Sequence, residues 1–126
     1  MNKIYIILPI LISHLTISSH SNGEWTYFTK NDSGGEFYID YDRIKKRDNI
    51  VYVWVLSDLL EPNKWNSLSY IYYYKYNCEI PLKYMTSQIM FCNDSMGKGN
   101  CETSRLDDKW LYPRPGSVNE ALIEKV

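Results

Sequence analysis

Histidine is absent from most of this sequence. The chain contains two histidines, His14 and His20, and both lie within the first 21 residues. The rest of the chain therefore has no imidazole for a Ser-His-Asp triad, for general base catalysis near neutral pH or for zinc binding. The sequence contains no recognisable set of catalytic, metal-binding or cofactor-binding residues. We predict a protein that is not an enzyme and that uses no cofactor.

An enzyme that uses only carboxylates is the alternative. Four acidic residues lie near aromatic residues in the sequence, namely Asp40, Asp42, Asp58 and Glu61. Glycosidases need two such groups at a defined separation. Acidic residues that border strands and turns are, however, typical of any soluble surface. We therefore favour the non-enzymatic interpretation.

The sequence also lacks an apolar run of the ~20 residues that a membrane-spanning helix needs. Its most apolar stretch, Ile4 to Ile12, follows the positive charge of Lys3 and is interrupted by proline. Small residues follow up to Ser21, as at the cleavage site of a secretory signal peptide. We predict a signal peptide over residues 1–21, cleaved after Ser21 or, as the second choice, after Ser19. Residues 22–126 are then a single exported domain with no membrane span.

Long blocks of charge are missing as well. The chain has 14 basic and 15 acidic residues and a formal net charge of −1. This balance argues against a nucleic-acid partner. A short basic run, Lys45-Lys46-Arg47, begins a predicted turn that ends at Asn49. These side chains form either a docking patch for an anionic partner or simply a solvated loop.

The three cysteines are an odd number, so at least one has no partner within the chain. In an exported protein, disulfides are the default state of cysteine. Cys92 and Cys101 flank a glycine-containing turn and can face each other across a hairpin, so we predict that they form a disulfide. Cys78 is then unpaired. A metal site is the disfavoured alternative, because three thiols at this spacing have no histidine to complete it.

Two runs of residues predict the centre of a sheet. Ile50 to Ser57 is β-branched and aromatic with no glycine, proline or charge, which is typical of a strand buried on both faces. Leu68 to Cys78 alternates with a period of two, so its even-numbered tyrosines share one face. We expect these two runs to be antiparallel neighbours. Hairpins are predicted on either side, one within residues 24–40 and one within residues 82–106.

The end of the sequence predicts an amphipathic helix. Ser117 and Glu120 form the capping-box pattern Ser-x-x-Glu, so the helix should begin at Val118 and run to the end. A helix this short is not stable alone. We expect it to pack its apolar face on the part of the sheet around Tyr52, Trp54 and Leu56. A single helical turn is also expected after Asp40, with that residue as its N-cap.

Aromatic residues supply the candidate binding surface. Trp65 lies in a polar connection that contains Pro62, so it is either an exposed binding anchor or a ring folded over the sheet edge, and we favour the second. The tyrosine row, which is the five tyrosines from Tyr70 to Tyr76, could stack against sugars, bases or an extended peptide. Packing in the core is nevertheless expected for most of these rings. The full candidate surface comprises Trp65, Tyr70, Tyr72, Tyr74, Lys45, Lys46 and Arg47.

Several short motifs together indicate a family. They are Phe37-Tyr38-Ile39-Asp40, Ile44, Asn49 to Asp58, Tyr76-Asn77-Cys78, Trp110 and Pro115-Gly116-Ser117-Val118-Asn119-Glu120-Ala121-Leu122. Through them the sequence resembles the surface-adhesin protein E-like family of bacterial exported proteins, over nearly all of residues 22–126. The terminal Pro-Gly-Ser-x-x-Glu-Ala-Leu is the most distinctive motif. None of the motifs is a catalytic signature.

The resemblance implies an α+β, mainly β fold, with a single curved antiparallel sheet of about six strands and a C-terminal helix packed on one face. Members commonly have Asp-Cys at the position of Asn77-Cys78 and a further cysteine directly after the helix. This chain stops at Val126, just before that position. If the sequence is truncated there, the missing cysteine is the partner of Cys78 and tethers the helix to the sheet.

The resemblance also implies a non-enzymatic binding module, exported to the periplasm or cell surface of a Gram-negative bacterium. At the surface it would be an adhesin that recognises host extracellular-matrix or serum proteins. The alternative is a periplasmic envelope protein that acts through homodimerisation or through a bacterial protein partner. No residue can be matched to a host-binding motif.

Overall fold

The computed structural model describes residues 24–126, which form one seven-stranded antiparallel sheet and one helix. This confirms the predicted α+β, mainly β fold, with seven strands in place of about six. The predicted signal peptide over residues 1–21 lies outside the described residues and stays a prediction. The elements are β1 (Thr26–Lys30), β2 (Glu36–Ile39), β3 (Lys45–Arg47), β4 (Ile50–Asp58), β5 (Ser69–Asn77), β6 (Lys83–Cys92), β7 (Cys101–Arg105) and α1 (Val118–Lys125).

The strands follow the order β1-β2-β4-β5-β6-β7 across the sheet, and every pair is antiparallel. β3 also pairs with β4, against its first residues, while β2 pairs with its last ones. The two predicted hairpins, β1–β2 and β6–β7, are both present. So is the predicted pairing of the two central runs, β4 with β5, over the whole length of each strand.

The seventh strand arises where a turn was predicted. Lys45, Lys46 and Arg47 pair with Tyr52, Val51 and Ile50, respectively. The turn is therefore confined to Asp48 and Asn49, and Asp48 adopts a φ of 53°. Aspartate and asparagine tolerate this left-handed conformation better than most residues, which explains why the chain reverses here. The prediction of a turn over Lys45 to Asn49 was too long by three residues.

β4 is buried in alternation from Ile50 to Val55, and only its last part, from Val55 to Ser57, is buried on both faces. Val51, Val53 and Val55 belong to the hydrophobic core, whereas Tyr52 and Trp54 are only half-buried. The expectation of burial on both faces was wrong for the alternating part because α1 covers only one face of the sheet. We call the face that carries Val51, Val53 and Val55 the helix face, and the opposite one the open face.

Helix α1 begins as predicted. Ser117 Oγ accepts a hydrogen bond of 3.2 Å from the Glu120 amide, and Glu120 Oε1 accepts one of 3.1 Å from the Gly116 amide. Reciprocal bonds of this kind satisfy amide groups that have no partner within the first helical turn. The helix then runs from Val118 to Lys125.

The predicted docking surface of the helix was wrong. Leu122 and Ile123 pack on the helix face, in a core cluster that includes Ile39, Val53 and Tyr76. The residues predicted to receive the helix, Tyr52, Trp54 and Leu56, lie on the open face. Side chains alternate between the two faces along a strand. The prediction therefore placed the helix on the wrong face of β4.

Asp40 does not cap the helical turn that follows it. The predicted turn is present as a 3₁₀ helix over Tyr41–Arg43, but the Asp40 side chain makes no capping hydrogen bond. This carboxylate is instead 1% exposed, and its Oδ2 lies 3.2 Å from Arg43 Nε. Neither of its oxygens accepts a hydrogen bond of acceptable geometry from the described residues. Asp40 is therefore held as the buried partner of an ion pair.

The predicted disulfide is formed between Cys92 and Cys101. The two cysteines are directly opposite each other on β6 and β7, with their Cα atoms 4.1 Å apart. The turn between them folds over the open face, where Ser95 Oγ and the Met96 amide donate hydrogen bonds of 2.8–2.9 Å to the Asp58 carboxylate. Together these contacts cover Leu56, which is fully buried on the open face.

Candidate functional site

Asn63 organises the loop between β4 and β5. Its Oδ1 accepts hydrogen bonds of 3.0 Å from the amides of Trp65 and Ser67, and its own amide donates to the Ser67 carbonyl at 3.0 Å. Its side-chain Nδ2 also donates to the Tyr70 hydroxyl. An asparagine that bonds backbone two and four residues later closes a tight, defined turn. The loop is thus built around one side chain.

Trp65 is the residue that this loop presents. Its side chain is 69% exposed, and Lys64 Nζ lies 4.2 Å from the centroid of the ring. An exposed cation–π contact of this type contributes about 0.5–1 kcal/mol. The favoured alternative, a ring folded over the sheet edge, does not occur. Trp65 borders a cleft of about 540 Å³ that is also lined by Asn66, Ser67, Phe91, Asn93, Asn100 and Glu102.

The floor and wall of this Trp65 cleft are fixed by the sheet. Phe91 of β6 packs edge to face with Tyr70, with ring centroids 5.4 Å apart. Asn93 and Asn100 follow and precede the disulfide, and Asn93 Oδ1 accepts a 2.9 Å hydrogen bond from the Asn100 amide. An exposed tryptophan, a second ring and several amide groups in one rigid concavity are the features of a recognition site.

The even-numbered tyrosines of the row lie on the helix face, and the extent of their burial differs along β5. Tyr74 and Tyr76 are buried in the core, and their rings stack 5.5 Å apart. Burial raises the pKa of both phenols far above the ordinary value. Tyr72 is half-buried with a pKa raised by burial to about 12, and Tyr70 lies next to the Trp65 cleft through Phe91. Tyr74 therefore cannot serve as an exposed contact.

The basic run lies apart from the Trp65 cleft. Lys45 and Arg47 are exposed on β3 and share the open face with their partners on β4, Tyr52 and Ile50, respectively. Beside Tyr52, the rings of Trp54 and Tyr73 are 4.5 Å apart. The seven candidate residues therefore do not form one surface.

Residues 25–126 match the family model described as surface-adhesin protein E. The chain belongs to the surface-adhesin protein E family. Two solved structures share its fold, namely Haemophilus influenzae protein E and a selenomethionine form of that protein. They have 18% and 16% sequence identity with it and TM-scores of 0.60 and 0.61. They cover 82% and 79% of this chain, which in turn covers 83% of each. No curated protein gave a significant match.

Two of the four acidic residues considered for hydrolysis, Asp40 and Asp58, have structural partners in this adhesin E family member. Asp40 is buried against Arg43, and Asp58 binds Ser95 and Met96 of the loop that covers Leu56. Within residues 24–126, no group of three or more His, Cys, Asp or Glu side chains could hold a metal ion. No helix in the same range is long and apolar enough to cross a membrane.

Cys78 is exposed and forms no disulfide with any described residue of the adhesin E domain. It follows the end of β5, where its amide donates a 3.0 Å hydrogen bond to the Asn49 carbonyl.

The roles of two residues, Asn63 and Trp54, were not predicted from the sequence. The dipeptide Pro62-Asn63 was a signal for a turn built on a side chain. Nothing in the sequence indicated that Trp54 faces away from the core, because both faces of β4 are apolar.

Proposed function

We propose that this protein is a non-enzymatic adhesin that recognises host extracellular-matrix or serum proteins through the Trp65 cleft. The observation that carries the proposal is the 69% exposure of a tryptophan on a loop closed by Asn63. Exposure of a large ring to water is unfavourable, and pre-organised tryptophans are frequent hot spots of protein interfaces. Membership of the surface-adhesin protein E family supports the same role.

The rigidity of the loop supports high affinity at this site. A partner that binds Trp65 does not have to order the loop, because two amides are already bonded to Asn63 Oδ1 at 3.0 Å. Ordering flexible groups is one of the main costs of association. Phe91 and the amides of Asn93 and Asn100 supply an apolar wall and polar groups around the ring. Asn63 is in this proposal a positioning residue.

The proposal is tested with purified mature protein on immobilised extracellular-matrix and serum proteins. We expect Trp65→Ala to weaken binding by 2 kcal/mol or more, about 30-fold, as for a hot-spot residue. Ile80→Ala is the matched control, because Ile80 is 93% exposed but does not line the cleft. Equal losses in both variants would indicate non-specific hydrophobic adsorption. Wild-type affinity in Trp65→Ala would refute recognition by this cleft.

The position outside the cell is tested by protease treatment of intact cells that express the full-length chain. We expect the domain to be digested while a periplasmic control protein is spared. Protection of the domain until the outer membrane is opened would contradict the adhesin proposal. It would favour the second candidate, a periplasmic envelope protein.

That second candidate is supported by the β7 edge of the sheet, where no further described strand pairs. Asn93 with Asn100 and Ser87 with Leu106 are hydrogen-bonded pairs of the β6–β7 ladder. Because such pairs alternate with non-bonded ones, the backbone groups of Thr103 point away from β6. All five residues of β7 are exposed. An unpaired edge of this kind can receive a strand from a second copy or from another envelope protein.

The edge model makes its own prediction. Thr103→Pro removes an outward amide without breaking a bond to β6, so it should abolish association while leaving the fold intact. Sedimentation of the wild type and this variant compares their masses directly. A wild type that is monomeric at high concentration, and that gives no covalent dimer through Cys78 on non-reducing gels, would eliminate homodimerisation.

A further inference from the structure

The open face carries a continuous row of aromatic rings that the Trp65 cleft does not use. Trp54 and Tyr73 are directly paired on β4 and β5, with ring centroids 4.5 Å apart. Tyr52 extends the row, because its ring stacks on Tyr73 at 6.2 Å with an interplanar angle of 29°. All three side chains are half-buried and keep part of their surface in contact with solvent. We call Tyr52, Trp54 and Tyr73 the open-face row.

Positive charge borders this row on both sides. Lys45 of β3 and Lys75 of β5 are the two cross-strand neighbours of Tyr52, and Lys75 Nζ lies 5.9 Å from its ring centroid. Since adjacent strands are about 4.8 Å apart, the backbones of the two lysines are separated by about 10 Å. Arg47 continues the positive edge, and together with Lys45 it lines a concavity next to Tyr52 and Tyr73.

These cations have no anionic partner in the part of the chain that the structure describes. No ion pair involves Lys45, Arg47 or Lys75 among residues 24–126. The carboxylate of Asp58 lies on the same face, but at the far end of β4, where it binds Ser95 and Met96. Unpaired positive charge beside solvent-accessible rings is complementary to a ligand that carries both anionic groups and flat apolar surfaces.

The position of the row within the sheet restricts the type of ligand. β4 and β5 are paired on both sides, so they offer no free backbone groups to an added strand. An extended peptide lying across this face would leave its own amides without partners from the protein. A polysaccharide has no such requirement, because its ring C–H groups stack on aromatic faces while its charged substituents pair with lysine and arginine.

We infer that the open face binds an anionic polysaccharide, with sugar rings on Trp54 and Tyr73 and sulfate or carboxylate groups on Lys45, Arg47 and Lys75. The separation of Lys45 and Lys75 suits charges that repeat along a sugar chain. This site lies on the opposite face from the Trp65 cleft and is independent of the proposed protein recognition. It gives the molecule two binding surfaces for two chemically different ligands.

The inference is tested by titrating the mature protein with dextran sulfate and with uncharged dextran. We expect binding of the sulfated polymer only. Lys45→Gln/Lys75→Gln should bind about tenfold more weakly, since each lysine contributes a charge-assisted contact. The matched control is Lys109→Gln/Lys125→Gln, which changes the net charge equally at exposed positions away from the row. Equal weakening in both double variants would overturn the site.

Two further measurements separate the sugar from other polyanions. Tyr73→Leu retains an apolar side chain but loses the ring, so it should weaken dextran sulfate binding while circular dichroism shows a folded sheet. Polyglutamate and single-stranded oligo(dT) should bind more weakly than dextran sulfate. If either binds as tightly, or if Tyr73→Leu has no effect, the face is a general or different polyanion site and the inference is wrong. Trp65→Ala should bind dextran sulfate normally, so failure of the protein-binding proposal leaves this test intact.

Discussion

The hydroxyl of Tyr76 donates a hydrogen bond of 3.2 Å to Asn119 Oδ1 and so connects the end of β5 with the first turn of α1. The Tyr76 ring is fully buried beneath the helix. Tyr76→Phe keeps the ring and removes only this bond, so we expect the free energy of unfolding to fall by about 1 kcal/mol. Urea denaturation followed by circular dichroism measures the change.

A double-mutant cycle isolates that contact. Asn119→Ala should destabilise the wild type by more than it destabilises Tyr76→Phe, because the phenylalanine variant has no bond left to lose. Tyr84→Phe is the matched control, since Tyr84 packs near Tyr76 but its side chain makes no hydrogen bond with any described residue. Additive effects of the two substitutions would show that the Tyr76–Asn119 bond contributes no stability.

The Cys92–Cys101 disulfide closes a short loop, because the two cysteines have a sequence separation of 9. A cross-link of this size stabilises a protein by roughly 2.5–3 kcal/mol when the unfolded chain is restricted by loop closure alone. We expect Cys92→Ala/Cys101→Ala to lose about that amount. Dithiothreitol should destabilise the wild type and leave the double variant unchanged, whereas Cys78→Ala should respond like the wild type.

Asp58 should be important for stability. Its carboxylate accepts hydrogen bonds from Ser95 Oγ and the Met96 amide, and these hold the covering loop over Leu56. Asp58→Ala removes the acceptor and should cost about 1–3 kcal/mol. Asp107→Ala, at an exposed position, is the control. A variant of Asp58 as stable as the control would mean that the disulfide and the hydrogen bonds of Ser69 Oγ with Asp94 and Gly97 hold the loop without Asp58.

Stability should decrease at high pH. Burial raises the pKa of Tyr72 from 10.0 to about 12, so between these values the unfolded chain loses a proton that the folded protein retains. The contribution of the Tyr72 phenol to the free energy of unfolding is complete below pH 10 and is lost as the pH rises towards 12. Tyr72→Phe should therefore reduce the slope of unfolding free energy against pH by about 1.4 kcal/mol per unit in this range. Well below pH 10.0 the slopes of the wild type and of Tyr72→Phe should coincide. A difference between them there would contradict the assignment of the pH dependence to Tyr72.

The pattern of strands was largely predictable from sequence, because it depends on local signals. Strand β4 has no residue that breaks a strand, and Ser117 with Glu120 marks the start of α1. The covered face of β4 was not predictable in the same way. Both sets of its alternating side chains, Val51 and Val53 on one face and Tyr52 and Trp54 on the other, are apolar enough to be buried. Only the position of the helix distinguishes them.

The candidate site was predictable in part for a similar reason. A tryptophan in a polar loop such as Trp65 is a local feature, and so is the exposure of Lys45. The row formed by Tyr52 and Tyr73 depends on the register between two strands, which the sequence does not specify. The burial of Tyr74 likewise depends on where α1 packs. Contacts between residues distant in sequence therefore determine both that Tyr52 and Tyr73 form an accessible row and that Tyr74 is buried.

The position of α1 in the chain has a consequence for the order of folding. Leu122 and Ile123 make their core contacts with Ile39 and Val53, which are remote in sequence. A helix of eight residues is too short to persist before it has a surface to pack on. The sheet must assemble first, and its high contact order makes that step the slow one. Until the helix docks, Val53 and its neighbours are open to aggregation.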